Sequence, residues 1–378
     1  MYHVKTMNKI SKIGLAELDD RFAISDTMEH EDAILVRSAK LHDYDFPAEL
    51  KCIARAGAGV NNIPLDRAAD AGIVVFNAPG ANANGVKELT IAALLLASRK
   101  ISQGITWVKE QSAAGADVAA VVEKGKSAYV GPEIQGKTLG VVGLGAIGVL
   151  VANAAAALGM KIVGYDPFLS VTHALNLTPG VEVVDTLPEL YAKADYISLH
   201  LPMNDATRGT LNEAAFAAMK DGVRIVNLAR GELVDTPALK AALDSGKCAA
   251  YVTDFPNSET AAMEGVVAIP HLGASTPESE DNCAMMAARE VKEYLDNGSI
   301  INSVNLPNLT MAWAAKTRVC VISKGADAAA IAGAVPAVAS ASNTRGAYAY
   351  TILDTDAAVD EAAIAAIPGV LRVRVLTR

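Results

Sequence analysis

The chain has 378 residues, 51% of them hydrophobic and 20% charged, enough for two or three domains with separate cores. Lys and Arg number 33 against 42 Asp and Glu, a net charge of −9, so no basic surface is forced on the protein and nucleic acid is not an expected partner. The four cysteines, Cys52, Cys248, Cys283 and Cys320, form no CxxC or Cys/His cluster, which argues against a disulfide framework and a structural zinc site; no metal is expected.

The opening stretch MYHVKTMNKISKIG has no apolar segment ahead of a cleavage site. The longest apolar run, LTIAALLLA at 89–97, is too short to span a bilayer. The expectation is a soluble cytoplasmic protein with no membrane partner. Short β-rich runs then alternate with alanine-rich helical segments, the pattern of parallel βαβ units. Strands are expected at 33–39, 51–57 and 72–78, followed by a helix at 85–101. A longer series starts near residue 137 with KTLGVVG, KIVGYD, ADYISLHLP, VRIVNLA, AYVTDF and VVAIPH as strands. Residues 276–299 read as one helix with glutamates in its opening turn. SVNLPNL leads into a linker near 305–315. From 317 onward the order strand, helix, strand, strand, helix, strand predicts a ferredoxin-like unit, equally suited to dimerisation and to sensing a small ligand.

The clearest chemistry lies in GKTLGVVGLGAIGVLVANAAAALGMKIVGYDPF, residues 136–168. It carries G-x-G-x-x-G as Gly143, Gly145 and Gly148, placed between a strand and a helix, with Asp166 closing the next strand. Gly143 permits the tight turn, Gly145 lets a pyrophosphate approach the backbone, and Gly148 lets the helix lie close to the strand. The helix N-terminus offers free amides to the phosphates. Asp166 would accept hydrogen bonds from the ribose hydroxyls and repel a 2′-phosphate, and no arginine follows it in YDPFLS, which favours NAD over NADP. Among six histidines, only His200 and His271 close hydrophobic runs, where α/β proteins present strand ends to ligands.

GLGAIG…YDP, ADYISLHLP…TRG, VNLARGELVD, TDFP and PHLGAST occur in an order and spacing that resemble the D-isomer-specific 2-hydroxyacid dehydrogenases. Within that family, RAGAGVNNI at 55–63, the HLGAST ending and the short C-terminal module are most similar to the members that oxidise 3-phosphoglycerate to 3-phosphohydroxypyruvate, the first step of serine biosynthesis. The resemblance implies an α/β fold in which a Rossmann-type doubly wound NAD-binding domain, 101–272, is inserted into a smaller flavodoxin-like substrate domain, 1–100 and 273–310. A ferredoxin-like, ACT-like domain would follow at 317–378. It also implies a site in the cleft between the first two domains and a homodimer or homotetramer.

Carried over residue by residue, the resemblance makes Arg230 the holder of the substrate carboxylate and His271 the acid/base. Histidine suits that work because its unperturbed pKa lies near neutrality. Aligning the phenylalanine of TDFPNSE puts Ser258 where the family carries the glutamate that pairs with this histidine, whereas spacing from the arginine selects Glu259. Glu259 is preferred because only a carboxylate can stabilise an imidazolium. Asp254 and Gly273 fall near the nicotinamide, Ala229 beside the cofactor, and Ala146 and Ile147 inside the glycine turn. Arg55 and Gly57 fall in the loop that meets the substrate, where Arg55 either binds a phosphate or caps a strand end. Two alternatives stay open: a dehydrogenase of another small acid, such as a glycerate/hydroxypyruvate or 2-oxo acid reductase, and a nucleotide-sensing scaffold like the corepressors of this fold. Because the tail reads SKGADAAA where regulatory relatives carry an N-x-P-G turn, an assembly role is expected of it rather than serine binding.

Overall fold

A computed structural model describes residues 1–378, which divide into two compact units: Met1–Asn82 with Pro277–Arg378, and Ala83–Thr276. The first unit contains a parallel sheet of β1 (Tyr2–Met7), β2 (Phe22–Ser25), β3 (Ala33–Val36), β4 (Cys52–Arg55) and β5 (Val74–Asn77) in the order β2-β1-β3-β4-β5. That is the flavodoxin-like order. β3 and β4 are buried on both faces apart from Arg55, as their unbroken apolar runs require. β1 and β2 carried no signal: YHVKTM mixes polar with apolar side chains and FAIS is short, so no strand was expected before residue 33.

The second unit holds β6 (Thr138–Val142), β7 (Lys161–Tyr165), β8 (Glu182–Val183), β9 (Tyr196–Leu199), β10 (Val223–Asn227), β11 (Cys248–Thr253) and β12 (Val266–Ala268). Their parallel order is β12-β11-β10-β9-β6-β7-β8, with the reversal between β6 and β9. Ligands of such sheets bind beyond the strand C-termini at that reversal. The helix expected at 85–101 runs from Ala83 to Ser98 and belongs to this unit, because its Ala93, Leu94 and Ala97 pack in one core with Leu139, Val141, Val151 and Ala155. Two further helices, Ile101–Ala113 and Val118–Gly125, and a turn at Lys126–Tyr129 follow it without a single buried residue.

β13 (Thr317–Lys324), β14 (Ala339–Arg345), β15 (Tyr348–Thr355) and β16 (Val370–Thr377) form the antiparallel sheet β14-β15-β13-β16 with two short helices, which is ferredoxin-like topology. One face packs on those helices through Val319, Val321, Ile331, Leu353 and Ile364. The other face contributes Cys320, Ile322, Tyr350 and Ile352 to the core that also contains Val4, Cys52, Phe76 and Tyr294. For that reason residues 317–378 lie in the same compact unit as the five-stranded sheet. The C-terminal end of the helix Pro277–Asn297 is gripped by this sheet. Arg374 donates to the carbonyls of Tyr294 and Leu295 at 3.0 and 2.9 Å, Arg318 to Asn297 O at 2.9 Å, and Tyr350 OH to Gly298 O at 2.5 Å. All four cysteines are free and buried, and burial pushes the Cys52 and Cys248 thiols up to about 12. No helix is long and apolar enough to cross a membrane.

Candidate active site

β6 delivers the chain to Gly143 at φ +95°, where a Cβ would come within 2.6 Å of His200 O. A Cβ on Gly148 would lie 1.9 Å from Gly143 O, so only glycine lets the helix Ala146–Ala157 start this close to the turn. A Cβ on Gly145, by contrast, would meet nothing within 4 Å, and no side chain caps this helix. The open space and the uncapped amides fit a dinucleotide pyrophosphate. Ala146 is exposed and Ile147 half-buried on the first turn. Asp166 follows β7 and is held from both sides: Oδ2 accepts the Leu144 N–H at 2.9 Å and Oδ1 the Phe168 N–H at 2.8 Å. Each oxygen keeps a lone pair for a ribose hydroxyl. His200, the other histidine at a strand end, has Nε2 2.9 Å from Ser198 Oγ, and burial pushes its ring down to about 4. It is a neutral, internally bonded histidine.

Beyond β10, Asn227 shapes the turn that presents Arg230. Its Nδ2 donates to Arg230 O at 2.9 Å and its Oδ1 accepts the Ala229 N–H at 3.2 Å. The Arg230 guanidinium lies 5.2 Å from the Phe255 ring centroid, and the His271 ring is tilted against the other partner of that contact, with Phe255 and His271 centroids 4.3 Å apart. Phe255 therefore contacts both the arginine and the histidine. Asp254, 1% exposed, directly follows β11 beside them. Its Oδ2 accepts the Gly273 N–H at 3.3 Å, while Oδ1 is buried with no partner. Burial pushes this carboxyl up, against the Gly273 N–H and the charges of His271 and Arg230, which favour the anion.

Glu259 is not brought to His271. Asn257 Oδ1 accepts the Glu259 and Thr260 N–H groups at 3.0 and 2.8 Å, and this Asx turn swings the chain outward. Glu259 is exposed, lining a 340 Å³ depression with Lys240, Asp244 and Glu264, and no ion pair joins it to the histidine. Ser258 is exposed as well. The carboxylate that senses His271 is Asp254. Sequence reasoning passed over Phe255 and Asn227; the only signal for Phe255 was its place in the TDFP motif.

In the first unit, Arg55 ends β4 and Gly57 follows in the loop. A Cβ on Gly57 would lie 2.4 Å from Arg55 Nη1, so the glycine lets the guanidinium fold over the loop. Arg55 Nε donates to Arg37 O at 3.0 Å. Arg37, unmarked in the sequence reading, directly follows the neighbouring strand β3 and pairs with Glu280 at 2.6 Å. Both guanidiniums act on the buried thiol of Cys283, lowering a pKa that burial raises. Two arginines closing adjacent apolar runs, AILVR and KCIAR, were the available signal. No group of His, Cys, Asp or Glu is placed to hold a metal ion.

Residues 91–273 match the family model described as D-isomer specific 2-hydroxyacid dehydrogenase, NAD binding domain. The chain is 36% identical over 329 residues to D-3-phosphoglycerate dehydrogenase of Bacillus subtilis, covering 82% of this chain and 60% of that protein. It is 40% identical over 299 residues to the protein of the same name from Mycobacterium tuberculosis, covering 76% and 53%. The chain thus spans about half to three fifths of the length of these curated relatives. A solved NAD+-bound 3-phosphoglycerate dehydrogenase of Entamoeba histolytica is 26% identical, covers 82% of this chain and 99% of its own, and superposes with a TM-score of 0.62.

Proposed function

Since the chain belongs to the D-isomer-specific 2-hydroxyacid dehydrogenase family, we propose that it oxidises D-3-phosphoglycerate to 3-phosphohydroxypyruvate with NAD. The observation that carries this reading is the cluster of Arg230, Phe255, His271 and buried Asp254 in the same unit as the glycine turn. Gly143, Gly145 and Gly148 admit the pyrophosphate, and Asp166 takes the ribose hydroxyls. Bound there, NAD supplies the acceptor for the hydrogen leaving C2.

The residues of the chain do the rest. Arg230 clamps the substrate carboxylate through its planar fork, fixing which face of C2 is presented. His271 takes the proton of the C2 hydroxyl. Asp254 is the carboxylate that favours the protonated ring, an electrostatic role that burial strengthens. Arg55, with Arg37 beside it, binds the phosphate of the substrate. We assign the chain to a homo-oligomer assembled through residues 101–130, which leave Ile101, Ile105 and Val130 exposed, although Trp107 packs on Tyr129 within the segment. Helices of 13 and 8 residues with no buried side chain need a partner surface to stay folded.

A panel of 2-hydroxy and 2-oxo acids, with and without phosphate, followed by NADH absorbance, tests the substrate. 3-Phosphoglycerate should surpass glycerate and lactate in kcat/KM. Equal values with and without the phosphate would sink the substrate assignment and leave a dehydrogenase of unphosphorylated acids.

A further inference from the structure

Glu290 lies on the helix Pro277–Asn297, is 6% exposed, and has no cationic partner. Its Oε1 accepts one N–H, from Asn302 Nδ2 at 2.7 Å, and its Oε2 is buried with none. Asn302 adopts φ +58°, the left-handed conformation that asparagine tolerates better than most residues. From Asn302 the chain runs along the edge of β5. Ser303 bridges Phe76, the Val304 N–H donates to Val75 O at 2.9 Å, and Asn305 Oδ1 accepts the Val75 N–H at 2.8 Å. Asn302 O accepts the Asn77 N–H at 3.5 Å. Asn77 in turn donates through Nδ2 to Ala58 O at 2.6 Å, and the Ala78 N–H reaches Gly57 O at 3.0 Å. The contacts that begin at Glu290 end on the loop that follows Arg55.

The charges around Glu290 are engaged elsewhere. On its own helix Arg289 pairs with Glu17, Lys292 with Asp19, and Glu293 accepts the Asn297 amide, while Tyr294 sits one turn on. From β14, Arg345 donates to Ser303 O at 2.9 Å. The strands packed against the helix bring Phe76 and Asn77 from β5, Cys52 and Arg55 from β4 and Arg37 just past β3; the helix Lys12–Leu15 brings Lys12. None of these enters the balance at Glu290, where burial dominates and the Asn302 amide opposes it, so that the carboxyl is pushed up to about 8. As a carboxylate, the group would hold one N–H and no water, and burying an anion on such terms drives the side chain toward solvent.

We propose that Glu290 is a positioning residue: as the neutral acid it pins Asn302 and, through Asn77, holds the Arg55–Gly57 loop in the shape that receives the substrate phosphate, and on losing its proton to solvent it releases that loop. The proposal rests on the reading of Arg55 as the phosphate-binding group. Its test uses the full-length chain with Glu290→Gln, which keeps the acceptor and never ionises, and Glu290→Leu, which removes the acceptor. KM and kcat for 3-phosphoglycerate are measured between about pH 6 and pH 10 alongside amide hydrogen exchange at Gly57, Asn77, Ala78 and Ser303, corrected for intrinsic pH dependence. In the wild type, KM should climb above about pH 8, by up to about tenfold per pH unit, while kcat keeps its profile. KM should stay flat in the glutamine variant and be raised at every pH in the leucine variant. Exchange at the four amides should quicken over the same range in the wild type alone. Identical exchange in wild type and Glu290→Gln at every pH overturns the latch, whatever the substrate proves to be. An exchange response without a KM response places the error in the reading of Arg55, and the positioning role falls with it.

Discussion

Asp254 and Glu259 stand five residues apart, and the structure gives them different surroundings. Asp254 directly follows a buried strand and cannot avoid the charges of Arg230 and His271, whereas Glu259 is turned to solvent by the Asn257 Asx turn. The two carboxylates therefore make opposite predictions. His271→Ala should lower kcat by about 10²-fold or more, the scale of general acid–base catalysis, with NADH affinity retained. Asp254→Asn should lower kcat and move the acid limb of the pH–rate profile to lower pH, since a neutral amide no longer favours the protonated ring. Glu259→Gln should leave both the rate and the profile as they are. If instead Glu259→Gln shifts the profile and Asp254→Asn does not, Glu259 swings in to serve the histidine and Asp254 is not its partner. Legibility at this scale followed motif rigidity. The glycines, Asp166, Arg230 and His271 stand where their spacing put them, because each is a few residues from a strand end. The structure sets Glu259 in solvent rather than beside His271, and counting residues across TDFPNSE cannot register that Asn257 bends the chain.

The helix Ile101–Ala113 has the sharpest mismatch between composition and burial. It displays Ile101 at 43% and Ile105 at 53% exposure, where a surface helix would bury its apolar stripe. Exposed apolar side chains grouped on one segment mark an interface. If the proposed assembly through residues 101–130 holds, Ile101→Lys combined with Ile105→Lys should give a monomer in sedimentation velocity, with far-UV CD retained outside residues 101–130. An oligomer unchanged by both lysines would place the interface elsewhere. The sequence reading ends its helix at residue 101 and assigns no element between there and the strand near residue 137. A helix break at Arg99 and Lys100, and a helix Ile101–Ala113 without a buried residue, appear only in three dimensions.

Across the molecule, the C-terminal sheet is joined to the first unit by polar contacts as well as by its apolar face. Arg318 and Asp354 form a bidentate pair at 2.7 and 2.9 Å, both fully buried, with Arg318 also reaching Asn297 O and stacking 4.4 Å from the Trp313 centroid. Arg318→Met should destabilise the first unit by about 3–5 kcal/mol in denaturant unfolding, because Asp354 is left charged and buried. Replacing both partners with apolar residues should recover most of that loss. If the double variant is as unstable as the single one, the arginine's contacts to the helix end and to Trp313 matter more than the pair. Either way, residues 317–378 behave as part of the unit that carries Arg55, not as an appendage.

The sequence by itself determined the parallel series of the second unit, the glycine turn with Asp166, the Arg230 and His271 positions, and the strand-helix order of the tail. Those features are local: apolar runs bounded by turns, residues within a few positions of a strand end, and glycines that no other residue can replace. Only the tertiary structure decided what depends on contacts between distant segments. It showed that β1 and β2 are strands, since the pairing of β1 with β3 and of β2 with β1, rather than their own composition, holds them in the sheet. It separated His200, neutral and bonded to Ser198, from His271, stacked on Phe255, though both close apolar runs. It also set Arg37 beside Arg55 and buried Glu290 without a counter-charge, because side chains far apart in the chain meet only when neighbouring strands and the helix across them bring them together.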